Sequence, residues 1–226
     1  MVNPDLLFVI TMEKGDLVLV DYVGRANGDI FDLSNKEKAK EEGLDTSQLD
    51  FEPVPVLVGE EYVIPGFEDA VKEMEVGQEK EFTVSAEDGY GERESEDIET
   101  YPEKEFNKQD VNVSVGDTLM VGRRQGRVIS KGSGRVRIDF NHPLAGKELD
   151  YWVKVLEKVE DDEEKAETIF DYRLGHGEIE FDGDTVTIIH EHDEEDHQHE
   201  LPDQLKDAIS REITDYTDFE EVVFDE

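Results

Sequence analysis

A chain of 226 residues, 36% of them hydrophobic, can bury at least one full core, and two or three compact units are expected. It holds no cysteine, which excludes disulfides, thiolate metal sites and a cysteine nucleophile. It carries 61 acids against 23 bases, and the resulting net charge of -38 disfavours nucleic acid and anionic membranes as partners.

Self-repulsion on that scale destabilises a compact state in dilute buffer, whereas at molar salt the Debye length shrinks to about 3 Å and the repulsion is screened. A salt-loving cytoplasm fits this, and an ordinary acidic protein with an acidic tail stands as the other reading. The apolar run 6–10 follows Asp5, has no basic flank and is too short for a signal peptide or a membrane span, so a soluble, cytoplasmic protein is expected. Met12 looks like a natural beginning, and residues 1–11 read as a mis-assigned start or a disordered tail.

Residues 15–23 form a strand pattern rich in branched side chains, and Ala26-Asn27-Gly28-Asp29 is a tight hairpin turn before a second strand at Ile30-Phe31-Asp32. Residues 36–43 have helix-forming composition with Gly43 as a stop, and Pro53 and Pro55 force extended structure into a strand at 56–58. A short helix begins at Pro65. Its apolar Phe67, Ala70, Val71 and Met74 are spaced by three and four, so one face packs on a sheet. Another strand covers 81–85, followed by a glycine-punctuated loop at 87–92.

From 93 to 140 the texture changes to short strands and turns, which predicts a small β unit inserted into the first domain. A sheet-completing strand follows at 149–159. Five consecutive acids at 160–164 read as a solvated linker, then come a hairpin at 177–190, an amphipathic helix at 201–216 entered through Pro202, and a last strand at 221–224. Residues 160–226 hold 26 acids and 4 bases, more than half of the excess charge.

Tyr-Val-Gly with Gly-Asp-Ile-Phe-Asp at 22–32, Val-Ile-Pro-Gly-Phe-Glu at 63–68, Val-Gly at 76–77, Gly-Tyr-Gly at 89–91 and Asn-His-Pro-Leu-Ala-Gly-Lys at 141–147 stand in one order. Over roughly 13–159 this series resembles the FKBP-type peptidyl-prolyl isomerases, specifically SlyD-like and long archaeal members with an insert-in-flap domain. The resemblance implies an α+β fold, an antiparallel half-barrel sheet wrapped on a short helix, with an inserted small β domain and a C-terminal α+β domain. The expected domains are 12–92 plus 141–159 for the isomerase, 93–140 for the insert and 160–226 for the acidic C-terminal domain.

It further implies that Tyr22, Asp32, Ile64, Phe67 and Tyr90 serve catalysis, and that Phe31, Val54, Val63, Leu144 and Tyr151 contact substrate. Phe67 stands where small members often carry tryptophan, and Tyr151 where phenylalanine is usual. On their own, such apolar residues are most often plain core. The chemistry asks for no nucleophile, metal or cofactor. Rotation about an Xaa-Pro amide costs about 18–20 kcal/mol, and the twisted amide loses charge separation, so a dry aromatic pocket stabilises it relative to the hydrated planar state. Within that pocket Asp32 is expected at a buried edge, orienting Tyr22 or the rotating carbonyl.

The insert of SlyD-like proteins binds unfolded polypeptide, which raises the local concentration of a slow prolyl bond. Here Leu119, Met120, Val121, Val128 and Ile129 are the apolar residues expected to be exposed for it. Six bases and no acid between 118 and 138 read either as a dock for acidic clients or as charges balancing nearby carboxylates. In the tail, His190, His192, His197 and His199 pair at a spacing of two and read either as nickel, zinc or copper ligands or as a solvated acidic loop. The expected partners are unfolded or proline-containing polypeptides and, through the C-terminal domain, a second copy of the chain. The expected function is prolyl isomerisation with holdase help. A chaperone without isomerase activity and a metal-binding protein are the alternatives.

Overall fold

A computed structural model of the chain describes residues 12–47, 51–190 and 201–225. They form two compact units, one within Met1–Phe82 and Asp150–Glu226, the other within Thr83–Leu149.

The first unit starts with β1 (Leu17–Ala26), which turns through Asn27 (φ 54°) and Gly28 (φ 87°) into the antiparallel β2 (Asp29–Leu33). Two consecutive left-handed residues are what a two-residue hairpin needs to match strand twist, and Asn-Gly supplies them at least cost. The helix α1 (Lys36–Glu41) is capped by Asn35, whose side chain accepts the Lys38 amide at 2.9 Å. Next, β3 (Val54–Leu57) pairs with the first half of β1, setting Leu17 opposite Leu57 and Val20 opposite Val54. The helix α2 (Pro65–Lys72) carries its proline in the first turn, where no amide is missed, and buries Phe67, Ala70 and Val71. After it comes β4 (Glu79–Val84).

The second unit holds β5 (Ile98–Pro102), α3 (Glu103–Asn107), β6 (Thr118–Val121), β7 (Arg124–Gly132) and β8 (Arg135–Asp139), with sheet order β5-β8-β7-β6. Val113, Val128, Val136 and Ile138 are its core, with Leu119 and Val121 packed against them. Val128 is therefore not an exposed client contact: it is 1% exposed, because the inward face of β7 runs through Gly126 and Val128. Met120, on the outward face of β6, remains 65% exposed.

The chain returns along β9 (Leu149–Val159), completing the first sheet in the order β2-β1-β9-β4 with β3 on β1. Beyond it stand α4 (Asp162–Arg173), β10 (Glu178–Asp182), β11 (Thr185–Ile189), α5 (Asp203–Tyr216) and β12 (Glu221–Asp225). The hairpin β10–β11 is antiparallel, and β12 joins β11 in parallel.

The acidic run is not a linker. Asp161 caps α4 by accepting the Glu164 amide at 3.1 Å, and Asp162, Glu163 and Glu164 fill the first turn, where the helix dipole favours negative charge. Nor does the C-terminal segment fold apart from the sheet. Leu17, Leu57, Tyr62 and Val159 share one core with Ala166, Ile169 and Phe170 of α4 and Ile209 and Ile213 of α5. Among the described residues, no helix is long and apolar enough to cross a membrane.

Candidate active site

Strand alternation sends successive side chains of β1 to opposite faces. Leu17 and Leu19 join the core shared with α4 and α5, while Tyr22, of the other parity, turns to the α2 side. There the Phe67 ring, 3% exposed, meets Tyr22 at 5.9 Å and Tyr151 at 5.1 Å between centroids, both edge to face. Tyr151 in turn meets Phe31 at 5.9 Å and 89°. These are favourable aromatic geometries, and together they line an apolar floor with ring faces and edges.

Gly24 makes the floor possible. A Cβ at this position would lie 2.6 Å from Phe31 Cζ and 3.0 Å from Tyr151 Cε1, so any side chain there displaces one of the two rings.

Within this unit the expected catalytic set brings Tyr22 to Asp32, whose Oδ2 accepts the phenolic hydrogen at 2.5 Å. Asp32 is exposed rather than at a buried edge, because it sits on the outward side of β2, where its Oδ1 also accepts the Leu33 amide. Ile64 is the residue before α2, and its carbonyl accepts the Phe67 and Glu68 amides at 3.0 and 3.1 Å, which ties the segment Val63-Ile64 to the helix carrying Phe67. Val54 is fixed through its pairing with Val20.

Phe82 of β4 was not among the residues expected from sequence. It stacks on Tyr151 at 5.8 Å and meets Phe67 at 5.9 Å, so the floor is a five-ring cluster. The inward position in an alternating strand was the signal available for it, since Lys80 and Phe82 are half-buried between the exposed Glu79, Glu81 and Thr83.

Tyr90 and Leu144 lie in the second unit. Tyr90 stacks on His142 at 4.1 Å and 9°, and the Leu144 amide donates to His142 Nδ1 at 3.2 Å, so the ring that carries Tyr90 is itself oriented by the return segment. That segment also closes the neck of the inserted sheet. Asn141 accepts the Glu94 amide at 2.8 Å and donates to the Glu94 carbonyl at 2.9 Å, while the guanidinium of Arg93 pairs with Asp139. Burial raises the affinity of Asp139 for a proton, yet the bonds from Asn141 and Arg93 outweigh it and hold the carboxyl below its usual range.

The basic stretch 118–138 is in part balanced locally. Arg124 bonds Glu99 at 2.9 Å and Asp97 at 2.5 Å, and Lys131 pairs with Glu103 at 3.1 Å. Of the tail histidines only His190 is described, with its ring 4.8 Å from His176; His192, His197 and His199 lie outside the described residues. Among the described residues, no group of three or more His, Cys, Asp or Glu side chains is arranged to hold a metal.

A cluster of five rings with a tyrosine-carboxylate pair at its side offers an apolar surface, and such a surface needs no reacting side chain to favour a twisted amide. The sequence is similar to two families of segment: residues 10–107 match "FKBP-type peptidyl-prolyl cis-trans isomerase" and residues 100–144 match "FKBP26, IF domain". A short-type peptidyl-prolyl cis-trans isomerase of Methanocaldococcus jannaschii is 38% identical over 144 residues, 64% of this chain and 92% of that protein. The SlyD isomerase of Helicobacter pylori is 32% identical over 54% of this chain and 66% of that protein. A probable 16 kDa FKBP-type isomerase of Pseudomonas fluorescens is 27% identical over 49% of this chain and 76% of that protein.

Proposed function

The chain belongs to the FKBP-type peptidyl-prolyl cis-trans isomerase family and is an isomerase of Xaa-Pro bonds, and we propose that Phe67 is the floor on which the proline ring turns while the inserted unit holds the client chain. The observation that carries this is the gathering of Tyr22, Phe82 and Tyr151 around Phe67, with ring centroids 5.9, 5.9 and 5.1 Å from its own. In this reading Tyr22, Asp32, Ile64 and Tyr90 orient the substrate's carbonyls, and Phe31, Val54, Val63, Leu144 and Tyr151 bound its side chains. Residues 12–92 with 141–159 act as the isomerase, 93–140 as the holdase and 160–226 as the acidic C-terminal part.

The holdase role is supported by apolar side chains left open on the inserted unit, Val115 at 62% and Met120 at 65% exposure. It is supported also by an open groove of about 910 Å³ in the same unit, whose lining includes Val115, Ile129 and Pro143. Proline-containing, unfolded polypeptide is the substrate class that both features suit.

Magnetisation-exchange NMR on an Ala-Phe-Pro peptide in molar KCl tests the pocket. The intact protein speeds cis/trans exchange, and Phe67→Ala removes most of that acceleration. Unchanged acceleration in the variant rejects the assignment, and suppression of client aggregation without any isomerisation makes the protein a pure chaperone.

A second reading, metal binding at the tail, is favoured by the approach of His176 to His190. The Nδ1 of His176 lies 2.9 Å from the Leu174 carbonyl, which as a donor leaves Nε2 with its lone pair for a cation. Nickel titration of the whole chain and of His190→Ala decides it.

A further inference from the structure

The segment Gly59–Ile64 connects β3 to α2 and delivers Val63 and Ile64 to the pocket. Its backbone is not self-supporting: Gly59 sits at φ 91° and Glu61, a residue with a Cβ, at φ 55°. Beside the local Glu60 amide bond to the Leu57 carbonyl and the Lys14–Glu60 ion pair, what holds it comes from more than a hundred residues away. The Tyr62 hydroxyl donates to Glu212 Oε2 at 2.8 Å, and the Tyr62 carbonyl accepts the Tyr172 hydroxyl at 2.7 Å. The two tyrosine rings stack at 4.0 Å and 11°. The Arg173 guanidinium lies over the Tyr62 ring at 4.6 Å and forks onto Glu212, its Nε at 3.0 Å from Oε2. One residue earlier but one, Glu60 accepts Tyr216 at 2.5 Å and Arg211 at 2.9 Å.

Apolar contact alone would keep α4 and α5 against the sheet, and the shared core already supplies it. Glu212 is wholly buried, and burying a carboxylate is costly unless each partner is in place. The directional bonds converge on the carbonyl, the ring face and the hydroxyl of a single residue, Tyr62, directly before Val63 and Ile64. Direction, unlike burial, fixes where the next two residues point.

We propose that α4 and α5 are a positioning brace for isomerisation, in which Tyr172, Arg173 and Glu212 act through Tyr62 to set the Val63-Ile64 wall of the pocket. This rests on the pocket assignment above. The brace has no part in holding the proline ring, so its loss shows in kcat, with KM nearly unchanged.

The test uses the full chain with Tyr172→Phe, which deletes one hydroxyl from a residue 40% exposed and keeps the stack, and with Tyr62→Phe, which deletes the bond to Glu212. A control, Ile188→Val, thins the same core from β11 and leaves every polar bond to the segment in place. Each tyrosine variant is expected to lower kcat roughly three- to ten-fold and to shift the Val63 and Ile64 amide resonances in a ¹H–¹⁵N spectrum, while the control changes melting temperature but neither readout. Amide shifts at full activity overturn the proposal, since the wall then moves without consequence. So does an activity loss without amide shifts, or one matched by Ile188→Val. Amide shifts accompanied by full activity of Phe67→Ala as well point instead to a wrong pocket assignment, which separates the two failures.

Discussion

Tyr22 and Asp32 face each other across the β1–β2 hairpin, phenol to carboxylate, at 2.5 Å. The same Tyr22 ring meets the edge of Phe67. The carboxylate thus holds a pocket ring in one rotamer, and it does so from the exposed side of the hairpin, where the bond has the low-end strength of a charged hydrogen bond, about 1.5 kcal/mol. Tyr22→Phe is expected to lower kcat/KM about ten-fold with little change in melting temperature, and Asp32→Asn less, since an amide oxygen still accepts. Magnetisation exchange on the prolyl peptide checks both; full activity in Tyr22→Phe removes the pair from the site.

What could be read from the residue order was what obeys local rules. Asn27-Gly28 named its turn, the three-and-four spacing of Phe67, Ala70, Val71 and Met74 named the buried face of α2, and alternation named β9 over its full length. What could not be read depended on distant partners. The acids at 160–164 look the same in solvent as in a helix's first turn, and only Ala166, Ile169 and Phe170 finding the back of β1 make α4 a helix. Phe82 joined the pocket through β9, not through any neighbour in sequence.

Gly24→Ala is expected to cost activity more than stability. The new methyl lies 2.6 Å from Phe31 Cζ, so the cheapest response is rotation of that ring out of the floor, and overpacking of this kind costs about 1–3 kcal/mol. A crystal structure or ring chemical shifts of the variant should show Phe31 displaced. An unmoved Phe31 with normal turnover contradicts the role given to this glycine.

Val115→Ser with Met120→Ser removes apolar side chains that are 62% and 65% exposed, so the fold loses little by it. Suppression of client aggregation should fall severalfold while turnover of a short prolyl peptide stays the same. If aggregation suppression is unaffected, clients are held elsewhere.

Stability should fall at both ends of the pH scale, for reasons located in the brace. Burial first, and then the Glu212 carboxylate, push the Tyr62 hydroxyl well above its ordinary value near 10. A raised value favours the neutral folded form, so this stability is complete below pH 10 and is lost as pH rises beyond it, at up to about 1.4 kcal/mol per pH unit. Burial pushes Glu60 up as well, but the bonds from Tyr216 and Lys14 and the charge of Arg211 outweigh it and lower the carboxyl from 4.5. That stability is present above 4.5 and is lost as pH falls through the folded value. Denaturant unfolding from pH 8 to 11.5 should show a flatter alkaline slope in Tyr62→Phe, and below pH 4.5 a flatter acid slope in Glu60→Gln.

Salt sets two effects against each other. Partly exposed pairs such as Lys80 with Glu73, 2.9 Å apart, are weakened by screening, but each is worth only about 0–1 kcal/mol. Against them stands the mutual repulsion of a chain at -38, which acts among many carboxylates at once. At 2 M KCl the Debye length is no more than about 3 Å, so the repulsion between neighbouring surface acids is largely removed. Relief of about 2 kcal/mol corresponds to a rise in melting temperature of roughly 4–8 °C between 0.1 and 2 M KCl. The rise should shrink in a variant carrying several Glu→Gln changes among the exposed acids of α4. A melting temperature that falls with salt would mean that the ion pairs outweigh the repulsion, and the high-salt adaptation read from composition would have to be given up.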